Sequence, residues 1–299
     1  MAAAQKALKA SMAEHDVLIE ILDARLPGAS ANPLIETLAQ AHQRPCLKLL
    51  NKSDLADPSI TARWQSYYEQ QEGTRSLVVS ALHDRKAKKS ALLLKMCQQL
   101  ASHRQGPGKS LRLLVSGIPN VGKSTLINVL LKVRRAHTGD EPALTRQTQR
   151  YRLGDDISLT DTPGLLMPKI KDERTGHLLA ASRAIGVKAY PAEETAEFLA
   201  VLLAERYPER LNERYKLNTA ANVASSDDAT PGGQLLKAIA IERRALHNKT
   251  PDCARAAQIL LQDFRSGRLG RMSLEEPPTR NKKPLDLAEQ SASTRSMAE

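Results

Sequence analysis

Eight residues, Gly117-Ile118-Pro119-Asn120-Val121-Gly122-Lys123-Ser124, constrain the fold of this 299-residue chain more than any other feature. They fit the pattern GxxxxGK[ST], a loop whose backbone N–H groups and following helix end cradle phosphates. The pattern carries weight only between a strand and a helix, and both flanks qualify. Leu111 to Val115 is a short apolar run suited to a buried strand, and Ser124 to Leu131 is helical in character. In that setting Asn120, Val121, Gly122, Ser124 and Thr125 are candidate phosphate-binding residues, and Lys123 would neutralise the outer phosphates. The Ser124 hydroxyl suits Mg²⁺, which keeps most of its waters and takes few protein ligands.

A second motif, Asn51-Lys52-Ser53-Asp54, lies upstream, after the strand-like run Cys46 to Leu50. Asn-Lys-x-Asp is the guanine-reading signature of GTPases. The Asp54 carboxylate can accept from guanine's ring N–H and exocyclic amine together. Adenine lacks that donor pair, and a site built around such bonds discriminates by roughly 10⁴-fold or more. Asn51 is expected at the opposite base edge, with the Lys52 stem along the base. Ser80-Ala81-Leu82, after the strand-like Ser76 to Val79, resembles the loop whose backbone N–H supports the guanine carbonyl. Downstream, Asp161-Thr162-Pro163-Gly164 follows Ile157 to Thr160 and matches DxxG. There Asp161 would hold Mg²⁺ through water, and the Gly164 N–H would meet the γ-phosphate. Thr145 is the candidate switch threonine for Mg²⁺ and the γ-phosphate, and with Lys123 it forms the candidate catalytic pair. Each tetrapeptide alone reads equally well as a polar turn. Their common placement at strand ends argues for one guanine nucleotide site.

The order of the motifs is inverted. Ordinary GTPases run from phosphate loop to base-reading loop; here the base motifs occupy 51–82 and the phosphate motifs 117–164. The expected fold is therefore α/β, a doubly wound parallel sheet of the P-loop GTPase type, circularly permuted, followed by a small all-helical domain. In this order, and through Asp23-Ala24-Arg25-Leu26-Pro27, Asn32-Pro33, the Asn51 and Asp161 motifs, GIPNVGKSTLIN, Thr138-Gly139-Asp140, Tyr207-Pro208-Glu209-Arg210 and Gly270-Arg271, the chain resembles the RbgA/YlqF family of ribosome-assembly GTPases. The resemblance covers nearly all of the chain to about residue 275. It implies GTP/GDP and Mg²⁺ as ligands and hydrolysis of GTP. It also implies a partner in the large ribosomal subunit precursor and its rRNA, late in assembly. Asn120 is the residue type that helps bind K⁺ in similar GTPases. No DNA partner is expected, and the protein is expected to be a monomer.

One catalytic part is missing from the pattern. Many signalling GTPases place a water-orienting Gln just after DxxG, where this chain has Leu165. In the resembled family the group is a His in a short segment before the position matching Met1, and His15, His137 and His177 do not match it. The expectation is slow unaided hydrolysis, near the intrinsic scale of ~10⁻⁴ s⁻¹, unless ribosomal particles stimulate it. The alternative is a nucleotide-dependent RNA scaffold without hydrolysis. A permuted relative of the RsgA type is disfavoured, since the short leader and scattered Cys46, Cys97 and Cys253 leave room for neither an OB-fold nor a zinc module.

Charge supports an RNA partner. The net charge is +11, and residues 1–170 hold 24 basic against 15 acidic residues. The surplus gathers in Arg85 to Lys89, Arg104 to Arg112, Lys132 to Arg135 and Arg146 to Arg152. Such a surplus favours a phosphate-rich partner through counterion release, although a solvated basic face has the same composition. Aromatic residues make up only 3%, too few for base-stacking modules of the single-strand-binding kind. No apolar run approaches the ~20 residues that cross a bilayer, so no membrane partner is expected. Three odd, distant cysteines suit a reducing bacterial cytoplasm, with a mitochondrial location the lesser alternative. The expected organisation is a GTPase domain over 1–170, a switch-linked connector over 171–190, a helical, rRNA-binding domain over 191–274 and a disordered tail over 275–299.

Overall fold

In the computed structural model the described residues are 9, 11–81, 87–104, 109–131, 149–154, 156–162, 170, 172–186, 189–218 and 230–278. The centre of the molecule is β1, Val17–Asp23, all seven residues of which are buried. Successive side chains of a strand point to opposite faces, so a strand apolar throughout must be covered on both. Val17, Ile19 and Ile21 enter the main core, whereas Leu18 and Leu22 enter two smaller clusters. Each such side chain, fully buried, contributes roughly 1.5–3 kcal/mol.

Six strands form one sheet in the order β3-β2-β1-β4-β6-β5. They are β1, β2 (Cys46–Asn51), β3 (Thr74–Val78), β4 (Leu111–Gly117), β5 (Gln149–Leu153) and β6 (Ile157–Asp161). All neighbours are parallel except the edge strand β5, which runs antiparallel to β6. That edge strand lies in a stretch the sequence suggested only as a basic run. The alternation of exposed Arg150 and Arg152 with half-buried Tyr151 and Leu153 marks it.

Helices cover both faces. After β1 comes the short α1 (Pro27–Ser30), whose Ala29 joins the main core, while α2 (Pro33–Ala41) and α3 (Pro58–Glu69) supply the two smaller clusters. Asn32 and Asp57 cap α2 and α3 by accepting from backbone N–H groups of the first turn, each just ahead of a proline at the first helical position. The main core takes in Leu93 and Cys97 of α4 (Ala87–Leu100) together with Leu126, Ile127 and Leu130 of α5 (Lys123–Leu131).

The same core continues into the helices α6 (Glu173–Ala181), α7 (Ala192–Arg206), α8 (Pro208–Tyr215), α9 (Pro231–Glu242) and α10 (Cys253–Ser266). Of these, α6 lies within the stretch expected as a connector, and the others lie within the expected helical region. Helix α9 stops at Glu242. Arg244, Asn248 and Lys249 have positive φ, and a hairpin of β7 (Leu246–His247) with β8 (Thr250–Pro251) follows. Gly267, at φ 76°, ends α10 in the left-handed conformation that glycine adopts without penalty. The segment expected to be disordered opens with described residues: Glu275 accepts from Ala29 N at 2.9 Å, and Glu276 pairs with Arg63 at 3.0 Å. Residues 279–299 lie outside the described residues.

Candidate nucleotide site at the carboxyl edge of the sheet

The chain winds outward from β1 through β2 to β3, then returns to β4 on the opposite side of β1. The winding direction thus reverses between β1 and β4, and open α/β sheets hold ligands at the strand carboxyl ends beside such a point. The ends of β1, β2, β4 and β6 carry Asp23, Asn51, Gly117 and Asp161.

The phosphate-type loop leaves β4 at Gly117 and enters α5 at Lys123. A Cβ on Gly117 would stand 2.8 Å from the Ile21 carbonyl oxygen, so glycine lets the loop lie against β1. Gly122 has φ 92°, and a Cβ there would lie 2.3 Å from Asn51 Nδ2. Any side chain would push the two motifs apart. They are in contact: Asn51 Nδ2 donates to the Val121 carbonyl at 2.7 Å, and the Ala81 N–H donates to Asn51 Oδ1 at 2.9 Å. A single buried carboxamide therefore joins all three motifs. The Ala81 N–H, with its one hydrogen, is directed to Asn51, whereas Asn51 Nδ2 keeps a second hydrogen beyond the one given to Val121.

The rest of the base-reading turn is equally tied down. Ser53 N–H donates to the Val79 carbonyl at 3.2 Å, and the Ser80 hydroxyl donates to Asp54 Oδ1. Lys52, at φ 60°, sends its ammonium to Asp23 Oδ2 at 2.9 Å. Asp23 also receives two bonds from the Arg25 guanidinium, at 2.9 and 2.8 Å. Burial alone would raise the Asp23 carboxyl, but the charges of Arg25 and Lys52 hold it well below the usual carboxylate range. Neither Asp23 nor Arg25 was singled out as a site residue; the signal was the Asp-Ala-Arg-Leu-Pro run, read only for resemblance.

On the other side of the phosphate loop, Lys123 Nζ meets Asp161 Oδ1 at 2.5 Å, with both side chains buried. Burial raises the Asp161 pKa against the opposing pull of Lys123. Asp161 Oδ2 is buried and has no hydrogen-bond partner among the described residues. An orphaned carboxylate oxygen is chemically suited to a hard divalent cation, as is the hydroxyl of the half-buried Ser124 that follows Lys123. Asn120, at φ 62°, donates through Nδ2 to the Arg183 carbonyl at 2.7 Å, which ties the loop to the segment after α6. Thr125 is half-buried in the first turn of α5. Thr145, Gly164, Leu165 and His137 lie outside the described residues.

The remaining histidines are occupied elsewhere. His15 bonds the Ser11 carbonyl and the Thr160 hydroxyl, at 2.5 and 2.7 Å, and burial lowers its pKa. His177 stacks on Phe198 at 5.2 Å. Part of the basic surplus is structural, since Arg104 and Arg112 both pair with buried Asp16, at 2.9 and 3.2 Å. A cleft of about 510 Å³ bounded by α6, α7 and α9 is lined by Glu173, Glu194, Glu197 and Glu205. Arg174 and His177 line it as well, so four carboxylates face one guanidinium there, a balance that disfavours phosphates. Among the described residues no helix is long and apolar enough to cross a membrane.

Known proteins resemble this chain in sequence and in fold. A family model described as a 50S ribosome-binding GTPase matches residues 112–223, beginning at the phosphate-loop strand. Ribosome biogenesis GTPase A of Bacillus pumilus is 35% identical over 288 residues, covering 93% of this chain and 96% of that protein. Mitochondrial ribosome-associated GTPase 1 of Ictalurus punctatus is 31% identical over 300 residues, covering 92% and 90%. Among solved structures, GNP-bound YlqF from T. maritima superposes with a TM-score of 0.60 at 24% identity, over 91% of this chain and 97% of that one, and shows the same fold.

Proposed function

The chain belongs to the ribosome biogenesis GTPase A family, and from that premise we propose that it binds GTP and GDP across the β1–β4 switch point and assists late assembly of the large ribosomal subunit. GTP hydrolysis would time its binding to, and release from, precursor particles and their rRNA. The observation that supports the nucleotide reading is the Asn51–Val121 bond, which brings the base-reading turn and the phosphate loop into contact.

Each residue then has a task. Asp54 accepts from the guanine ring N–H and amine while Ser80 steadies one of its oxygens. Asn51 spends one amide hydrogen on Val121 and turns the second to the base edge. Lys52, anchored at Asp23, lays its stem along the ring. The N–H groups of Val121, Gly122, Lys123, Ser124 and Thr125 surround the phosphates. Lys123 exchanges its bond with Asp161 for the outer phosphates, which frees Asp161 to face the metal. Bound Mg²⁺ would neutralise charge developing on the transferred phosphoryl group. Ser124 and Thr145 would hold it directly, and Asp161 through water. The Gly164 N–H completes the γ-phosphate contacts, and the Asn120 side-chain oxygen is the atom chemically suited to K⁺. The setting is a bacterial cytoplasm, with a mitochondrial one as the lesser reading, and the protein acts as a monomer.

The direct test is Asp54→Asn, titrated calorimetrically with GDP and with xanthosine diphosphate. The amide replaces one acceptor with a donor, so preference should move from guanine to xanthine. Unchanged GDP affinity would remove Asp54 from the base contact and the reading with it.

A further inference from the structure

The turn that carries Asp54 is gripped from outside the sheet. After α10, residues 267–276 run back over the base-reading side and bond to it repeatedly. Arg271 Nη2 donates to the Ser53 carbonyl and Arg271 Nε to the Ala56 carbonyl, each at 2.9 Å. Met272 N–H donates to the Leu55 carbonyl at 2.9 Å, and Leu274 N–H to the Arg25 carbonyl at 2.7 Å. Ser273 Oγ accepts from Asp57 N at 3.2 Å, and the Tyr207 hydroxyl lies 3.3 Å from Asp57 Oδ2. The approach is close enough that a Cβ on Gly267 would stand 2.6 Å from Leu55 Cδ2. The backbone carbonyls immediately before and after Asp54 are thus both held by the segment that closes the helical region.

We propose that Arg271 is a positioning residue for guanine recognition, aiming the Asp54 carboxylate by fixing the Ser53 and Ala56 carbonyls. Two bonds from one carboxylate to one base edge require a fixed orientation, and a turn that rocks loses the second bond first. A planar guanidinium spans two carbonyls at a set separation, which a point-charge ammonium cannot do. Because the strap is continuous with α10, displacement of the helical region by a bound particle would loosen the grip on the base. This inference rests on the assignment of Asp54 to guanine.

The experiment measures binding of GDP and of inosine diphosphate, which lacks the exocyclic amine, to the full chain and to Arg271→Ala. In the unaltered chain GDP should bind more tightly than inosine diphosphate. In Arg271→Ala, GDP affinity should fall about tenfold, as expected for losing charge-assisted bonds, while inosine diphosphate affinity falls far less, so that the ratio narrows. Arg271→Lys should give an intermediate ratio, and it carries the same comparison if the alanine variant does not fold. Equal losses for both nucleotides, or no loss for either, would overturn the proposal. Failure of the unaltered chain to bind GDP would instead remove the underlying assignment of Asp54.

Discussion

At the scale of single residues the site is a set of polar groups that satisfy one another inside the protein. Asp23 shows how tightly. Its carboxylate is almost wholly enclosed and balanced by Arg25 and Lys52. Removing one member of such a buried group leaves uncompensated charge and typically costs about 3–5 kcal/mol. Asp23→Asn should therefore destabilise the fold by about that much at pH 7, as read from urea unfolding. The pH dependence has a definite sign. The folded-state pKa of Asp23 lies below its unfolded value, so its stabilisation is complete above the unfolded pKa and is lost as the pH falls through the acid range. The gap between the two proteins should narrow by ~1 kcal/mol between pH 5 and pH 3, since each pH unit is worth about 1.4 kcal/mol. A constant gap would show that Asp23 is not ionised in the fold. Asn120 gives a second residue-scale expectation: turnover should be faster in KCl than in NaCl, and equal rates would deny it a cation role. Several of these groups were legible from the sequence, namely Asp54, Lys123 and Asp161. Asn51 was legible as part of its motif, but its bond to Val121 depends on a residue 70 positions away.

At the scale of elements, the helices beyond the sheet depend on close backbone approach. A Cβ on Gly232 in the first turn of α9 would meet Glu197 Cβ at 2.6 Å and the Glu197 carbonyl oxygen at 2.8 Å. Backbone of the facing α7 cannot yield cheaply, so Gly232→Ala should cost about 1–3 kcal/mol through overpacking. At the next position a Cβ would meet the Thr230 hydroxyl at 3.2 Å and the end of the Glu197 side chain at an ordinary 3.6 Å. There alanine's helix propensity, favourable by about 0.8–1.0 kcal/mol, competes with a small steric cost, so Gly233→Ala should lose much less. Urea midpoints of the two variants decide this, and equal losses would refute the contact. Strand existence was legible throughout the buried part of the sheet because apolar runs at β1, β2 and β4 leave little choice. Helix ends were less so. The stop at Glu242 comes from residues with positive φ, none of them glycine.

At the scale of the whole molecule, two widely separated stretches of chain meet at one edge of one sheet, and the last described segment returns to brace the first of them. The phosphate loop, the base-reading turn and the helical region are tied to one another through Asn120–Arg183 and Arg271. Large-subunit particles should accordingly raise GTP turnover well above a slow unaided rate. Their binding should weaken steeply with salt if rRNA phosphates supply the contact. Turnover indifferent to particles would leave a scaffold role in place of the enzymatic one. The sequence by itself determined that a strand–loop–helix unit carries the GxxxxGK[ST] pattern, that a guanine-type motif precedes it, and that the β-strand pattern suits a doubly wound sheet. These are local properties: backbone geometry demanded by glycines, apolar periodicity and short motifs whose spacing is their meaning. Only the tertiary structure decided that Asn51 braces the phosphate loop, that Lys123 rests on Asp161, and that Arg271 holds the turn around Asp54. Those contacts join residues far apart in the chain, and hydrogen bonds of that range are set by which surfaces the buried core brings together.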